Sequence, residues 1–422
     1  MNPILPKDLF IGDVEARVMG DGRLYMYGSY DVPGSGAWCS HLYHVYSTDD
    51  PAMAQWTDHG VAFQNTPDHT ELPWAPDAAL YAPDCICRNG KYYLYYCGSH
   101  DDEGVAVSDR PYGPFTDAKP IAGADGDGID PTVFVDDDGQ AYYLWGQFSL
   151  RGAKLNDDMC TLEPGSIRKG ILTEQEHGFH EGASMRKING RYYIVYTDIS
   201  RGRATCMSYA VSDRPLGPYK KGGVIIDNTH CDPETWNDHG SLAEFHGRWY
   251  VFYHRSSRNS KYNRRVCAEP VTIHEDGSID EVPMTSQGAG GPIPACQTID
   301  ASSACRVKGN AWIDVDETSA EPNEVVASPG PAPWGSSWAE YKYIDLGSGV
   351  SAVTVRARGE GTVSFKTEGS DEPFTSVAID AKDGFGFFTA PVTETPTGVR
   401  TIWAVFQGTG LILDSFSFSP RQ

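Results

Sequence analysis

Gly190-Arg-Tyr-Tyr-Ile-Val-Tyr196 reads as a tight turn feeding a strand dense in aromatic residues, and the pattern occurs four more times. The other copies are Gly22-Arg-Leu-Tyr-Met-Tyr27, Gly90-Lys-Tyr-Tyr-Leu-Tyr-Tyr96, Gly139-Gln-Ala-Tyr-Tyr-Leu-Trp145 and Gly247-Arg-Trp-Tyr-Val-Phe-Tyr253. Successive glycines lie 68, 49, 51 and 57 residues apart, room for four short strands and their turns in each unit. A unit of that size is a propeller blade, so the repeat predicts an all-β chain built on a five-bladed β-propeller. A single β-sandwich whose strands share a composition would not account for the near-regular period. A second element also recurs, Ser108-Asp-Arg-Pro-Tyr-Gly-Pro-Phe115 and Ser212-Asp-Arg-Pro-Leu-Gly-Pro-Tyr219, and is placed in the outer part of two blades.

Composition agrees with this reading. The 422 residues are 40% hydrophobic and 22% charged, which supplies a sizeable core and argues against disorder. Forty-five Gly, 28 Pro, 23 Tyr, 16 Phe and 10 Trp fit many short strands joined by tight turns. A net charge of −23 argues against nucleic acid or an anionic membrane surface as partner. No apolar run is long enough to span a bilayer. The start, Met1-Asn-Pro-Ile-Leu-Pro-Lys-Asp8, lacks a basic region followed by an apolar core, so the expectation is cytoplasmic, or secreted if a leader has been removed. The ten cysteines are scattered, with Cys85 and Cys87 at alternate positions of one strand, and are read as free thiols.

Counting back 10 to 12 residues from a Tyr or Trp of each aromatic strand reaches Asp13, Tyr81 (with Asp84 three further on), Asp130, Glu181 and His239. These positions fall on the innermost strand of each blade, which lines the central axis, so distant residues would converge at one mouth. Three acidic motifs lie on this grid: Ile11-Gly-Asp-Val-Glu-Ala-Arg17, Gly128-Ile-Asp-Pro-Thr-Val-Phe-Val135 and His180-Glu-Gly-Ala-Ser184. Desolvating a charge costs several kcal/mol (roughly), so acids on inner strands need a task or a partner. Crowded carboxyls raise one another's pKa, so one becomes a proton donor at neutral pH. An inverting glycosidase uses this asymmetry: one carboxylate activates water while a protonated one serves the leaving oxygen. The competing reading has the acids bonding turns or calcium.

With these motifs in hand, residues 1–288 resemble glycoside hydrolase family 43, the five-bladed propeller glycosidases. The resemblance implies that Asp13 is the general base, Asp130 the residue that orients the acid and tunes its pKa, and Glu181 the general acid. The base is followed by Val14 where the family has proline, and Glu15 two residues on is a rival base. Trp74-Ala-Pro-Asp77 recurs as Tyr81-Ala-Pro-Asp84. Tyr81 and Asp84 are expected on the axis, and Trp74 on a loop at the mouth, stacking on sugar. His239, in Trp236-Asn-Asp-His239, matches an axial histidine that in the family sometimes coordinates calcium or another ion. Arg264 resembles the arginine that closes the last blade over the sugar, with Arg265 the alternative. The activity implied is inverting, exo-acting release of a terminal pentose, foremost α-L-arabinofuranose, from plant-type oligosaccharides. The same scaffold also permits β-D-xylosidase, β-galactofuranosidase or exo-galactanase activity. No organic cofactor is implied. A retaining invertase-type enzyme would need an Asn-Asp-Pro-Asn-Gly and a later Arg-Asp-Pro motif, and neither occurs. A non-enzymatic carbohydrate-binding protein is disfavoured because all three acids are retained.

Ser286-Gln-Gly-Ala-Gly-Gly-Pro-Ile-Pro294 is read as a linker. Beyond it, alternating strands such as Tyr341-Lys-Tyr-Ile-Asp-Leu346 and Thr401-Ile-Trp-Ala-Val-Phe406 predict an antiparallel β-sandwich (jelly-roll) over 296–422. This part resembles a family 6 carbohydrate-binding module, which implies a structural Ca2+ held here by Asp300 and Asp414. Trp334 and Trp338 are read either as sugar-stacking residues or as packing residues.

Overall fold

The computed structural model describes residues 1–100, 103–124, 128–317 and 323–421. The first part of the chain forms five antiparallel sheets in sequence order. Their innermost strands are Ile11–Val18, Leu80–Arg88, Thr132–Val135, Phe179–Ile188 and Ser241–Phe245. Each is followed by the aromatic strand of the repeat: Leu24–Tyr30, Lys91–Gly98, Ala141–Trp145, Arg191–Asp198 and Arg248–Ser257. The repeat's glycines occupy the hairpin turns between these pairs, all at φ of +74° to +84°. In three blades the preceding residue is also left-handed (Asn89, Asn189, His246), the two-residue turn whose twist suits a hairpin.

The aromatic strand holds the ring together because its two faces serve two neighbours. Tyr25 and Tyr27 pack with Leu94 and Tyr96 of blade two, whereas Leu24 and Met26 pack with Phe252 and Val266 of blade five. Similar clusters join blades two to three, three to four and four to five, so apolar contacts close the circle. Each fully buried aliphatic or aromatic side chain contributes about 1.5–3 kcal/mol. The Ser-Asp-Arg-Pro motifs lie between the third and fourth strands of blades two and four, on the rim, and bury Phe115 and Tyr219. The last blade has three strands, and residues 2–5 lie along its outer one. Ile4 N–H bonds Val266 O at 3.0 Å, and Asn2 exchanges amide bonds with Ala268.

A β-sandwich follows. Its long strands Val350–Thr367, Thr375–Pro391 and Val399–Pro420 enclose a core rich in Phe365, Phe416 and Phe418. The two units are docked by buried polar groups. Arg255 donates to the carbonyls of Ser302 and Ala304, Arg265 pairs with Glu324, and Val307 N–H bonds His230 O at 2.9 Å. Trp338 lies in a strand and stacks on Trp403 at 4.8 Å, while Trp334 is 91% exposed. All ten cysteines are free. No helix among the described residues is long and apolar enough to cross a membrane.

Candidate active site

At one mouth of the propeller axis lies a cavity of about 250 Å³ lined by Asp13, Tyr81, Asp130, Glu181, His239 and Arg264, with Trp38, Gln147, Trp236 and Asn237 among the remaining walls. The inner strands deliver these side chains through a shared irregularity. Blades one, two and four each break register at the mouth, between Gly12 and Glu15, between Tyr81 and Asp84, and on both sides of Glu181. Asp13 and Asp130 themselves adopt left-handed φ (52° and 54°), which costs a non-glycine residue about 1–3 kcal/mol and persists where the surroundings over-determine it. The bulges turn Asp13, Tyr81 and Glu181 out of the pleat and into the cup, and Asp130 enters it from the turn before its inner strand.

Asp13 is nearly fully buried. Arg264 Nη1 lies 2.6 Å from its Oδ1, Ser29 Oγ donates to Oδ2 at 2.5 Å, and His239 Nδ1 is 3.3 Å from Oδ1. Burial opposes ionisation, but Arg264 and His239 outweigh it and hold the carboxyl well below the usual range. Arg264 is locked by Asp31, which accepts from Nε at 2.9 Å and Nη2 at 2.8 Å. Asp130 behaves oppositely. Burial, with the charges of Glu181 and Asp13 and against that of His239, pushes its carboxyl up to about 7. Its Oδ2 accepts the Gly182 N–H at 3.0 Å, so it grips the backbone next to Glu181. Glu181 accepts from Gln147 Nε2 at 2.7 Å and from Asn237 Nδ2 at 3.1 Å.

Two histidines complete the set. His254 is held down to about 3 by burial and by Arg264, so it is neutral. Its Nδ1 accepts the Asp13 N–H at 3.3 Å, which leaves Nε2–H to donate to Asn237 at 3.2 Å. A continuous chain of bonds thus runs from the Asp13 backbone through His254 and Asn237 to Glu181. His239 is pulled down by burial but raised further by Asp130, Asp13 and Glu181, to about 9, and is an imidazolium at neutral pH.

Several expectations are corrected. Asp84 lies beyond the bulge and outside the cup; Arg17 binds both its oxygens (3.0 and 2.7 Å), and Thr132 and Val133 donate to it. Glu15 is likewise outside the cup, paired with Arg17 at 3.0 Å and with Arg186, so the geometry leaves Asp13 as the acid that faces the cavity. Arg265 turns away to Glu324, because adjacent strand residues face opposite sides. Trp74 is 43% exposed and does not line the cavity; Trp38 and Trp236 stand at the mouth instead.

The residues expected to hold calcium are engaged by protein groups. Asp300 lies 2.9 Å from Lys7 Nζ, and Asp414 lies 2.9 Å from Arg356 and accepts from Asn323, so protein cations already neutralise both. His239 Nδ1 lies 3.3 Å from Asp13 Oδ1 and 3.9 Å from Asp130 Oδ2. Among the described residues no group of three or more His, Cys, Asp or Glu side chains forms a ligand set.

Sequence reasoning missed His254, Gln147, Asn237, Trp38 and Asp31. Asn237 lies within the motif already singled out around His239, Gln147 two residues past one aromatic repeat and His254 one residue past another, whereas Trp38 and Asp31 carry no local signal.

A sequence model of the family described as glycosyl hydrolases family 43 matches residues 2–279. A xylosidase/arabinosidase of Thermoclostridium stercorarium is 30% identical, with 97% of this chain and 96% of that protein covered. The crystal structure of a family 43 β-xylosidase/α-arabinofuranosidase from a compost microbial metagenome, in complex with xylotriose and calcium-free, superposes with a TM-score of 0.56. It is 30% identical and covers 67% of this chain and 97% of that one. An arabinoxylan arabinofuranohydrolase from Bacillus subtilis, in complex with cellotetraose, shares the fold over 100% of this chain and 97% of that one. Its TM-score is 0.58 and its identity 24%.

Proposed function

The chain belongs to glycosyl hydrolases family 43 and is a glycoside hydrolase, and from that premise we propose that it removes a terminal pentose from oligosaccharides with inversion. The foremost substrate is an α-L-arabinofuranoside. The observation that carries this is the cup itself, in which an ionised Asp13 and the Asp130–Glu181 pair face one small space. About 250 Å³ lies below the usual size of a ligand pocket and suits a single ring, which supports exo action.

In this mechanism Asp13 takes a proton from water as that water attacks the anomeric carbon. Arg264 and Ser29 fix the orientation of Asp13. Glu181, positioned by Gln147 and Asn237, protonates the leaving oxygen. Asp130, through the Gly182 N–H, fixes the acid's backbone, and its carboxyl faces the same cup. His239 stays positive between Asp13 and Asp130 and offsets their charge. A β-D-xyloside is the second reading, supported by the compost relative bound to xylotriose.

A panel of aryl furanosides and pyranosides identifies the sugar, and proton NMR of the first product gives its configuration. Retention would overturn the assignment of Asp13 as base. Glu181→Gln is expected to lose about 10²–10⁴-fold in kcat on natural linkages while keeping part of its activity on activated aryl glycosides. Unchanged turnover of an arabino-oligosaccharide would reject Glu181 as the acid.

A further inference from the structure

The active-site cup and two further cavities share walls in series. Trp236 forms the wall shared with a second cavity of about 460 Å³, also lined by Arg203, Glu234, Lys261 and Tyr262. Arg203, Pro233 and Thr235 are in turn shared with a third cavity of about 340 Å³, whose far wall is Val307, Lys308 and Gly309 of the sandwich. The trench therefore leads from the sugar cup to the junction of the two units.

Its charge is out of character for a chain of net −23. Arg203 spends one N–H on Thr235 O at 3.1 Å, and neither Arg203 nor Lys308 forms an ion pair among the described residues. Lys261 sits over the rings of Trp236, Tyr262 and Trp38 at 5.0, 5.2 and 5.7 Å and has no carboxylate partner among the described residues. Arg306 flanks the junction, only 3.9 Å from Glu340 at its nearest atom pair. The opposing acids are largely committed. Asp232 is buried and accepts the Glu234 and Asn259 N–H groups, and Asp227 pairs with Arg201, leaving Glu234 as the free carboxylate of the second cavity. His230, on the floor of the third cavity, is held below its ordinary value first by burial and then by Arg306, Lys308 and Arg203, with only Asp227 opposing. Its surroundings are cationic.

We propose that the trench is a subsite for a carboxylate-bearing sugar of the substrate's leaving chain, a uronate held between Arg203 of the propeller and Lys308 of the sandwich. The guanidinium offers the planar fork that a carboxylate takes, and Lys308 adds a second charge. The trench begins at the cup that holds the terminal ring, so the anion arrives attached to the substrate rather than free. The sandwich then completes the binding site as well as packing against the propeller. This rests on the glycosidase reading.

The test compares uronate-substituted oligosaccharides carrying the same terminal sugar with their methyl esters, which remove only the charge. Calorimetric affinity and kcat/KM are measured on the full chain and on Arg203→Gln/Lys308→Gln, with an aryl glycoside as control. The free acid is expected to bind about tenfold more tightly than the ester. The ratio should fall toward one in the double variant and in high salt, with aryl glycoside turnover unchanged. Equal affinity for acid and ester, or a preference that survives both substitutions, overturns the subsite. Failure to hydrolyse any aryl glycoside would overturn the glycosidase reading instead, while the calorimetric ratio still decides the trench.

Discussion

His239 sets the charge of the cup, and its environment has a measurable consequence for the whole protein. Its folded-state value, about 9, lies above the ordinary 6.5, so the stability it adds is complete below pH 6.5 and is lost as pH rises through 9. Asp130, raised to about 7, acts with the same sign: its contribution is complete below 3.8 and gone above 7. His239 should therefore lower the unfolding free energy between pH 6.5 and 9 by up to roughly 1.4 kcal/mol per pH unit, added to the falls from Asp130 and Asp232 (each raised to about 7) and Glu269 (raised to about 8). Urea titrations across that range check the slope, and His239→Gln should make it shallower, most clearly between pH 8 and 9, above the other groups. Asp84 provides a second test at this scale. Because it neutralises buried Arg17 and does not face the cup, Asp84→Ala should cost about 3–5 kcal/mol of stability. KM and kcat of the remaining folded enzyme should be unchanged; a raised KM would place Asp84 on the substrate. Asp13, Tyr81, Asp130, Glu181 and His239 were legible in the sequence because each stands 10 to 12 residues before an aromatic of a repeat, whereas Arg264 was reached only through the family resemblance. Which of Asp13 and Glu15 faces the sugar was not, since simple alternation puts both on one face.

At the scale of the strand, the bulge separates those two acids. A register break at the mouth of three inner strands sends Asp13, Tyr81 and Glu181 upward, and leaves Glu15, Asp84 and Arg186 to form an ion network with Arg17 below the cup. Gly182 is the clearest case. Its φ is +66°, and a Cβ there would stand 2.8 Å from the His239 ring, while its N–H holds Asp130. Gly182→Ala should lower kcat about 10²-fold by shifting Glu181, with a stability loss of about 1–3 kcal/mol. Kinetics beside thermal melts separate the two effects; wild-type kcat would mean that the bulge does not position the acid. Blades were legible because a glycine in a left-handed turn followed by alternating aromatics is a local signal. Bulges were not, because the extra residue is dictated by neighbouring blades. The three-stranded last blade was equally hidden, since residues 2–5 supply its edge from the opposite end of the chain.

Across the whole molecule, the two units meet through charges that neither could leave uncovered. Arg265 and Glu324 are each only about 2–3% exposed at the side chain, and Glu324 also accepts from Ser257 Oγ at 3.3 Å. Arg255, equally buried, donates to the carbonyls of residues 302 and 304 and has no carboxylate partner among the described residues. Water cannot solvate these guanidinium groups while the sandwich is docked, and separating the units would expose a paired set of buried charges together. The propeller and sandwich should accordingly unfold as one cooperative system, seen as a single calorimetric transition of the full chain. Glu324→Ala leaves Arg265 buried without its counter-charge and should cost about 3–5 kcal/mol, borne by the interface. The expected trace is then two transitions, the sandwich detaching below the temperature at which the propeller melts. Replacing the pair together, Arg265→Met with Glu324→Leu, removes the uncompensated charge and should restore a single transition near the original temperature. If Glu324→Ala still melts in one unshifted step, the ion pair is incidental and apolar contact alone couples the units.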